Sequence, residues 1–293
     1  MKGIILHGGH GTRLRPLTHT GPKQLLPIAN KPMSQYGIEA MISSGISEIA
    51  IIIGGIGANK VREYYGEGEK FGVKFTYIQQ DQPKGISHAI ALCKDFVDNE
   101  KFLVFLGDNI LKDSISKYVK EFVKSDADAS IVLCEVENPT RFGIAEIKNG
   151  EIIKIVEKPK EPPTNLAVIG VYLLTPKIFD IINRLKPSWR NELEITDALQ
   201  MLLEENNKII YNTVSENWKD TGTPEDIIQA NDIILRDKKS YFLGEKKEGV
   251  LMNGNIMVGK NSKIEKGVKL NGPIIIGENC LVESGIIGPN VSI

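Results

Sequence analysis

The sequence contains few of the residues that build metal clusters, disulfide frameworks or membrane spans. Its 3 cysteines in 293 residues, Cys93, Cys134 and Cys280, lie far apart and form no C-x-x-C pair. This spacing favours buried free thiols over a zinc knuckle or a disulfide framework. No apolar run approaches the roughly 20 residues of a membrane helix, and the N-terminal MKGIIL is too short for a signal-peptide core. We therefore expect a cytoplasmic protein.

The chain also lacks an excess of charge of either sign. It has 36 lysines and arginines against 37 aspartates and glutamates, which gives a formal net charge of -1. Attraction to nucleic acid or to an anionic membrane would need a clear excess of cations, so neither is an expected partner. A phosphate ligand would have to be held by a local group of cations and backbone amides.

Short apolar runs alternate with helix-like segments in the first third of the chain. In chain order, beginning with a strand, they are 2–6, 32–45, 48–53, 58–66, 73–79, 86–97 and 101–106. The alternation predicts an α/β fold with a Rossmann-like mixed, mostly parallel sheet flanked by helices. Ligands of such sheets bind at the carboxyl ends of strands, where Gly8–Arg13 and Gly107–Asn109 lie.

The second half of the chain is less regular. Strands are predicted at 129–136, 151–159 and 167–174. Two amphipathic helices follow at 194–207 and 223–236, the second with Thr223 as its N-cap and Pro224 in its first turn.

Beyond residue 250 the apolar residues recur every six positions. The anchors are Val258, Ile264, Leu270, Ile276 and Val282, after which the register slips to Ile287 and Ile293. Gly259 and Gly277 lie eighteen residues apart, the length of one three-sided coil. The pattern predicts a short C-terminal left-handed β-helix and two domains, 1–240 and 250–293.

The stretch LHGGHGTRLRPLTHTGPKQLLP, residues 6–27, has neither the G-x-G-x-x-G of a dinucleotide loop nor the G-K-[ST] of a P-loop. Consecutive amides of such a loop can form an anion-binding nest. Arg13 adds a planar cation and Lys23 a point charge, a set that suits a triphosphate better than a monophosphate. The alternative is a glycine-rich turn with surface charges. A zinc site at His7 and His10 lacks further ligands and is not favoured.

Acidic and amide side chains complete the set of candidates that the residues themselves suggest. Asp108 follows the strand-like run KFLVFL and its glycine, a position suited to a magnesium ligand, although G-D-N also forms turns. Gln24 and Gln80 each offer a donor and an acceptor together, which matches the edge of a pyrimidine.

Several motifs occur together in one order along the chain. They are GGHGTRLRPLT with PKQLLPIANKPM, then LGDNIL, RFGIAEI, EKP, VIGVYLL, RNELEITD and WKDTGTPE. Over roughly residues 1–240 the sequence resembles the sugar-phosphate nucleotidylyltransferases, and the KQLLP form of the motif is similar to the thymidylyltransferases among them. The tail resembles that of the long-chain members. His7 and His10 depart from the family's Ala and Ser.

The resemblance implies an activity. A sugar 1-phosphate oxygen attacks the α-phosphorus of a nucleoside triphosphate in line, with Mg²⁺ and without a covalent intermediate, and pyrophosphate leaves. The implied reaction joins dTTP and glucose 1-phosphate to give dTDP-glucose for polysaccharide biosynthesis.

Three alternatives stay open. UTP can replace dTTP or be used beside it, with glucose 1-phosphate or N-acetylglucosamine 1-phosphate as acceptor. The chain can also be a non-catalytic sugar-nucleotide sensor, or carry an acetyltransferase in its tail. The open end of the repeat suggests a homo-oligomer.

The resemblance also implies roles for individual residues. Catalysis is expected from Arg13, Lys23, Asp108 and Lys158, and metal binding from Asp108 and Asp220. The expected nucleotide-binding residues are Gly8, Gly9, Gly11, Thr12, Arg13, Lys23, Gln24, Gln80 and Gly85. The expected sugar-phosphate-binding residues are Asn109, Gly143, Glu157, Lys158, Gly170, Arg190 and Thr196.

Overall fold

The computed structural model describes residues 1–8, 11–55, 57–215 and 217–293. The α-helices in these ranges are α1 (Met33–Ser43), α2 (Ala58–Tyr65), α3 (Ile86–Ala91), α4 (Lys94–Val97), α5 (Ser116–Lys124), α6 (Lys177–Ile182), α7 (Ile195–Glu204) and α8 (Pro224–Leu235). In the part of the chain that these ranges cover, no helix is long and apolar enough to cross a lipid bilayer.

The strands of the first 240 residues are β1 (Lys2–Leu6), β2 (Pro27–Ile28), β3 (Lys31–Pro32), β4 (Glu48–Ile53), β5 (Lys74–Gln79), β6 (Phe102–Leu106), β7 (Asn109–Leu111), β8 (Ala129–Glu135), β9 (Gly143–Lys148), β10 (Glu151–Glu157), β11 (Leu166–Leu174), β12 (Ile209–Val214) and β13 (Trp218–Asp220). Those that follow are β14 (Tyr241–Phe242), β15 (Glu245–Lys246), β16 (Leu251–Asn253), β17 (Ile256–Val258), β18 (Lys263–Ile264), β19 (Lys269–Asn271), β20 (Ile274–Ile276), β21 (Leu281–Val282), β22 (Ile286–Ile287) and β23 (Val291–Ser292).

A nine-stranded sheet forms the centre of the molecule. Its main path is β10-β9-β11-β6-β1-β4-β5, and β8 pairs with both β11 and β12. The pairs β6-β1, β1-β4, β4-β5 and β8-β12 are parallel. Strands β10 and β11 run against their neighbours. The mixed, mostly parallel α/β sheet expected from the sequence is confirmed.

The central strands are apolar throughout because both faces of the sheet are covered. Along β1, Ile4 and Leu6 face a cluster with residues of α3, α6 and α7. Ile5, between them, faces a second cluster with residues of α1, α2 and α5. Side chains alternate along a strand, so a sheet with helices on both faces requires an unbroken apolar run.

The structure refines the predicted helices. The single helix expected at 86–97 is wrong: α3 ends at Ala91 and α4 begins at Lys94. The cap of α8 is confirmed, since Thr223 and Asp226 form a reciprocal capping box with Pro224 in the first turn. Strands β7, β9, β12 and β13 and helices α5 and α6 have no counterpart in the sequence prediction.

The tail forms small parallel sheets from strands about eighteen residues apart. Their orders are β14-β17-β20-β23, β15-β18-β21 and β16-β19-β22. The five six-residue anchors are all buried, whereas Ile287 is half-buried and Ile293 is exposed. Pairing already begins at Tyr241, ahead of the predicted boundary at 250.

The tail packs against the first part of the chain. Met257 and Ile275 point away from the interior of the tail and join an apolar cluster with Met33 of α1 and Ile110 of β7. Asn231 of α8 connects the two parts: its Nδ2 donates to Asn290 O at 3.1 Å and its Oδ1 accepts from Ser292 Oγ at 2.7 Å. The tail is therefore held by both apolar and polar contacts.

Met257→Ala tests this packing. The Met257 side chain is fully buried, and its removal should lower the free energy of unfolding by about 2–5 kcal/mol through lost burial and a cavity. Chemical denaturation measures the change. Met252→Ala, in the exposed strand β16, is the matched control and should change the free energy by less than about 0.5 kcal/mol. Equal effects would contradict the packing described.

Candidate active site

The carboxyl ends of β1 and β6 lie side by side. Leu6 is in register with Leu106, and Gly107 N donates to Leu6 O at 3.0 Å. A Cβ at Gly107 would lie 2.7 Å from Leu6 O and 2.8 Å from His7 Cδ2, so only glycine fits. This pairing brings the glycine loop after β1 next to Asp108.

The glycine loop turns sharply at Gly11. Gly11 has φ 57°, and a Cβ there would lie 2.9 Å from Thr18 Cγ2. A 3₁₀ turn follows at Thr12–Leu14, and Thr18 Oγ1 donates to Gly11 O at 2.7 Å. Gly9, predicted for the nest, and His10 lie outside the described residues.

Four charged side chains meet beside this loop. Lys23 forms an ion pair with Asp108. Asp220 ends β13, where it is in register with Asn109 of β7. Arg13 packs against Gly222, since a Cβ there would lie 3.1 Å from Arg13 Nη2. The catalytic and metal residues predicted from distant motifs thus lie together, apart from Lys158, which belongs to the neighbouring cavity.

The pKa values record strong coupling within this group. Burial opposes the charge of Lys23, but attraction and a hydrogen bond from Asp108 outweigh it and raise the pKa of Lys23. Burial likewise opposes the charge of Asp108, and Lys23 holds the pKa of that carboxyl below its ordinary value. Burial and then the negative charge of Asp108 raise the pKa of Asp220 to about 6.

The donor set of this group fits a hard divalent cation. Two carboxylates that repel each other are relieved by a cation between them, and Mg²⁺ usually takes one or two protein carboxylates and completes its shell with water and phosphate oxygens. Within the described ranges no group of three or more His, Cys, Asp or Glu side chains could hold a metal ion. The candidate ligands at this site are the carboxylates of Asp108 and Asp220.

Asn109 is held in one orientation beside Asp108. Its Oδ1 accepts from Trp218 Nε1 at 2.7 Å and from Gly170 N at 3.3 Å. This leaves its Nδ2 to donate to Asp108 Oδ1 at 3.0 Å. A Cβ at Gly170 would lie 2.8 Å from Asn109 Cγ, so glycine permits the contact. Asn109, predicted to bind the sugar phosphate, thus also makes a hydrogen bond to Asp108.

A cavity of about 420 Å³ opens next to the charged group. Arg13 and Asp220 of the charged group line it. So do all the residues predicted to bind the sugar phosphate, namely Asn109, Gly143, Glu157, Lys158, Gly170, Arg190 and Thr196. These residues come from β7, β9, β10, β11 and α7 and from the loops beside them. The tertiary structure therefore unites motifs spread over roughly ninety residues of sequence.

Glu157 contacts three side chains of the cavity. Its Oε2 accepts from Thr196 Oγ1 at 2.9 Å, and its Oε1 lies 3.4 Å from Arg190 Nη1 and 3.3 Å from Lys158 Nζ. Arg190 also pairs with Glu192 and Glu194. A Cβ at Gly143 would lie 2.3 Å from Thr196 Cγ2, so glycine leaves the space above Glu157 open.

The two predicted base-reading glutamines differ in their contacts. Gln24 is buried, and its Nε2 donates to Gly8 O at 2.8 Å, while no atom of the described ranges pairs with its Oε1. Gln80 lies across the glycine loop, with Oε1 3.2 Å from the position of a Cβ at Gly8 and Nε2 facing Gly85 O at 3.5 Å. Both amides therefore border the loop.

His7 lies beneath the loop. It is buried, its ring stacks on Tyr65 with centroids 5.9 Å apart, and neither ring nitrogen has a hydrogen-bond partner among the described atoms. Burial lowers the pKa of His7 to about 3, so the ring is neutral. Its observed contacts are packing contacts.

The sequence prediction missed three side chains of this region. Trp218 stands inside the WKDTGTPE motif, and Arg141 stands inside RFGIAEI. Their closeness in sequence to the predicted site residues could have indicated both. His88 had no such signal, because only the fold brings its Nδ1 to 2.9 Å from Gln80 Nε2. Phe142 and Trp218, in edge contact at 5.5 Å, border both this cavity and a larger one of about 1230 Å³.

Comparison with known proteins agrees with this geometry. The family model described as Nucleotidyl transferase matches residues 2–237. The chain is 48% identical over 263 residues to the low-salt glycan biosynthesis nucleotidyltransferase Agl11 of Haloferax volcanii, covering 89% of this chain and 74% of that protein. It is 38% identical over 265 residues to a glucose-1-phosphate thymidylyltransferase of Streptomyces griseus, covering 90% and 74%.

A solved structure extends the similarity to three dimensions. The structure is that of a Bacillus anthracis protein assigned as a glucose-1-phosphate thymidylyltransferase and crystallised with sucrose. The two chains superpose with a TM-score of 0.77 at 44% identity, and the alignment covers 83% of this chain and 98% of that chain. The chain therefore belongs to the nucleotidyl transferase family.

The raised pKa of Asp220 predicts a pH-dependent stability of the metal-free protein. Because the pKa of Asp220 rises from 3.8 to about 6 on folding, this carboxyl binds more proton in the folded state, and its own contribution to stability falls as pH rises from about 4 to 6. Asp220→Asn should therefore raise stability by about 1–2 kcal/mol at pH 7, after allowance for partial exposure, and by little near pH 4.

Melting in the presence of a chelator at several pH values measures this effect. Asp126→Asn, at an exposed position, is the control and should show no gain at pH 7. The same Asp220→Asn difference at pH 4 and pH 7 would show that the carboxyl is not strained by its neighbours.

Proposed function

We propose that this chain transfers a thymidylyl group from dTTP to glucose 1-phosphate, giving dTDP-glucose and pyrophosphate. Membership of the family supports the broader activity, transfer of a nucleotidyl group to a sugar 1-phosphate. The observation that carries the proposal is the group of Arg13, Lys23, Asp108 and Asp220, placed between the glycine loop and the polar cavity.

The triphosphate would occupy the glycine-loop side of the site. The amides of Gly8, Gly9, Gly11 and Thr12 would donate to its oxygens, while Arg13 and Lys23 would neutralise their charge. Gln24 supports the loop through Gly8 O. Gln80, with Gly85 beside it, borders the loop where the base would lie.

The sugar 1-phosphate would occupy the cavity. Glu157, oriented by Thr196 Oγ1, would accept hydrogen bonds from sugar hydroxyls. Lys158 and Arg190 would attract the phosphate from the rim of the same cavity. Gly143 and Gly170 would let the sugar approach the backbone closely.

Asp108 and Asp220 are the proposed magnesium ligands. Bound Mg²⁺ would supply charge neutralisation on the phosphate oxygens. Lys23 pairs with Asp108 Oδ2 and holds this carboxyl ionised, and Asn109 Nδ2 donates to its Oδ1, so the two contacts together fix the plane of the carboxylate. Both contacts prepare the carboxylate for a cation.

The reaction would be a direct displacement. An oxygen of the sugar 1-phosphate would form a bond to the α-phosphorus while the bond from that phosphorus to the pyrophosphate oxygen breaks. Catalysis would come from positioning and from charge stabilisation by Arg13, Lys23 and Lys158.

A uridylyl transfer is the second candidate. Gln80 would read the donor and acceptor edge that thymine and uracil share, and the two bases differ by one methyl group. A difference of that size is worth only about 1–3 kcal/mol in a binding site, so the use of both dTTP and UTP fits the same residues.

We also propose the division of the chain. Residues 1–240 would carry the nucleotidyl transfer, and the tail would be a short left-handed β-helix whose three parallel sheets are its three faces. The anchors at six-residue spacing and the eighteen-residue strand pairs support this interpretation.

A panel of nucleoside triphosphates against sugar 1-phosphates tests the activity. With Mg²⁺, pyrophosphate should be released fastest from dTTP with glucose 1-phosphate, because two of the similar proteins are named as glucose-1-phosphate thymidylyltransferases. A pyrophosphate-coupled assay gives kcat/KM for each pair. A faster rate with UTP would show that the activity is uridylyl transfer. Binding of a nucleotide without release of pyrophosphate from any pair would favour a sugar-nucleotide sensor.

Asp108→Asn tests the proposed metal ligand. The variant keeps the shape of the side chain but loses the charge that holds the cation, so kcat should fall by at least ~10²-fold. Steady-state kinetics at several Mg²⁺ concentrations measure the loss. Asp126→Asn, exposed and distant, should keep the wild-type rate. A near-wild-type rate for Asp108→Asn would remove this carboxylate from the reaction.

A further inference from the structure

The Gln80 side chain is wedged between the glycine loop and helix α3. Its backbone follows β5 and is fixed by Gln80 N, which donates to Ile53 O at 2.8 Å. Only 6% of the residue is exposed. An amide in so narrow a space has two possible orientations, related by exchange of its oxygen and nitrogen, and its neighbours decide between them.

The contacts on the two sides of the amide differ in kind. On the α3 side, Gln80 Nε2 lies 2.9 Å from His88 Nδ1 and 3.5 Å from Gly85 O, and both atoms can accept a hydrogen bond. On the loop side, Oε1 faces Gly8. The reverse orientation would place the amide oxygen against the carbonyl oxygen of Gly85, which is unfavourable.

Of these two contacts, only the one to the His88 side chain can be changed by substitution, because the other is made by the backbone carbonyl of Gly85. A neutral imidazole with its proton on Nε2 accepts at Nδ1. Burial and the nearby Lys84 both lower the pKa of His88, which favours the neutral ring. Because Gly85 O can only accept, the amide nitrogen of Gln80 lies on the helix side, and the His88 ring meets it with Nδ1 as acceptor, which leaves the amide oxygen toward the loop.

The orientation of this amide matters to a pyrimidine. Thymine and uracil present an N3–H donor, whereas cytosine presents a bare N3 acceptor beside an amino group. An amide oxygen facing the base accepts from the N3–H of thymine or uracil and is repelled by the N3 of cytosine. An amide nitrogen in the same place would have the opposite preference.

We propose that His88 sets the base specificity of this enzyme by holding the Gln80 amide with its oxygen toward the nucleotide, so that thymine or uracil is accepted and cytosine is rejected. The proposal rests on the nucleotidyl transfer proposed above and adds to it a positioning residue that acts through Gln80. His88 itself need not touch the base.

His88→Leu and His88→Asn test the role of the acceptor. The measured quantity is the ratio of kcat/KM for dTTP to kcat/KM for dCTP, with glucose 1-phosphate as the second substrate. His88→Leu removes the nearer of the two acceptors on the helix side, weakens the preference for this amide orientation, and should lower the ratio roughly tenfold, the size of one hydrogen bond. His88→Asn supplies an amide oxygen, Oδ1, in the place of Nδ1 and should restore most of the ratio.

A double-mutant cycle tests whether His88 acts through Gln80. In a Gln80→Leu background no amide remains to be oriented, so His88→Leu should leave the ratio unchanged. Gln82→Leu, two residues away with an exposed side chain, is the matched control and should keep the wild-type ratio. Melting temperatures of all variants exclude general unfolding as the cause.

The possible outcomes separate this proposal from the proposed function. If no nucleotide and sugar 1-phosphate react, the proposed function is wrong, and calorimetric binding of dTTP and dCTP still tests His88. If dTTP reacts but His88→Leu keeps the ratio, only the role of His88 is wrong. If His88→Leu has the same effect on the ratio in the Gln80→Leu background as in the wild type, or if His88→Asn does not restore the ratio, the role of His88 is likewise wrong.

Discussion

The arrangement of the site depends on the pairing of β1 with β6. These parallel strands end together at Leu6 and Leu106, so the glycine loop that follows β1 lies next to the segment with Asp108 that follows β6. The ion pair of Lys23 with Asp108 then joins the two. Because the pair is largely removed from water, each charge stabilises the other more strongly than it would at the surface, and together they keep Asp108 ionised.

Asp220 is brought to this pair by backbone contacts rather than by its own charge. Thr221 N and Thr221 Oγ1 both donate to Asp108 O, at 3.1 and 2.6 Å. Two carboxylates are thereby held close at an electrostatic cost, which the raised pKa of Asp220 records. Such a cost is typical of sites that receive a cation. Met33, whose Sδ lies 2.8 Å from Thr221 Oγ1, belongs to the cluster that the tail covers.

Much of the candidate site could be predicted because its residues stand in short motifs with fixed spacing. Arg13 follows the glycines, Asp108 follows a strand, and Glu157 and Lys158 are adjacent in EKP. The orientation of the side chains could not be predicted in the same way. Asn109 is fixed by Trp218 and Gly170, from two other strands, and a sequence gives no sign of contacts over such separations.

The sequence by itself determined the alternation of strands and helices, the six-residue period of the tail and the identity of the charged groups, because these depend on local periodicity and on residue type. Only the tertiary structure decided which groups meet. It split the helix expected at 86–97 into two, placed His7 in packing contact under the loop, and turned His88 toward Gln80. These outcomes depend on the register and packing of distant elements, which no local pattern encodes.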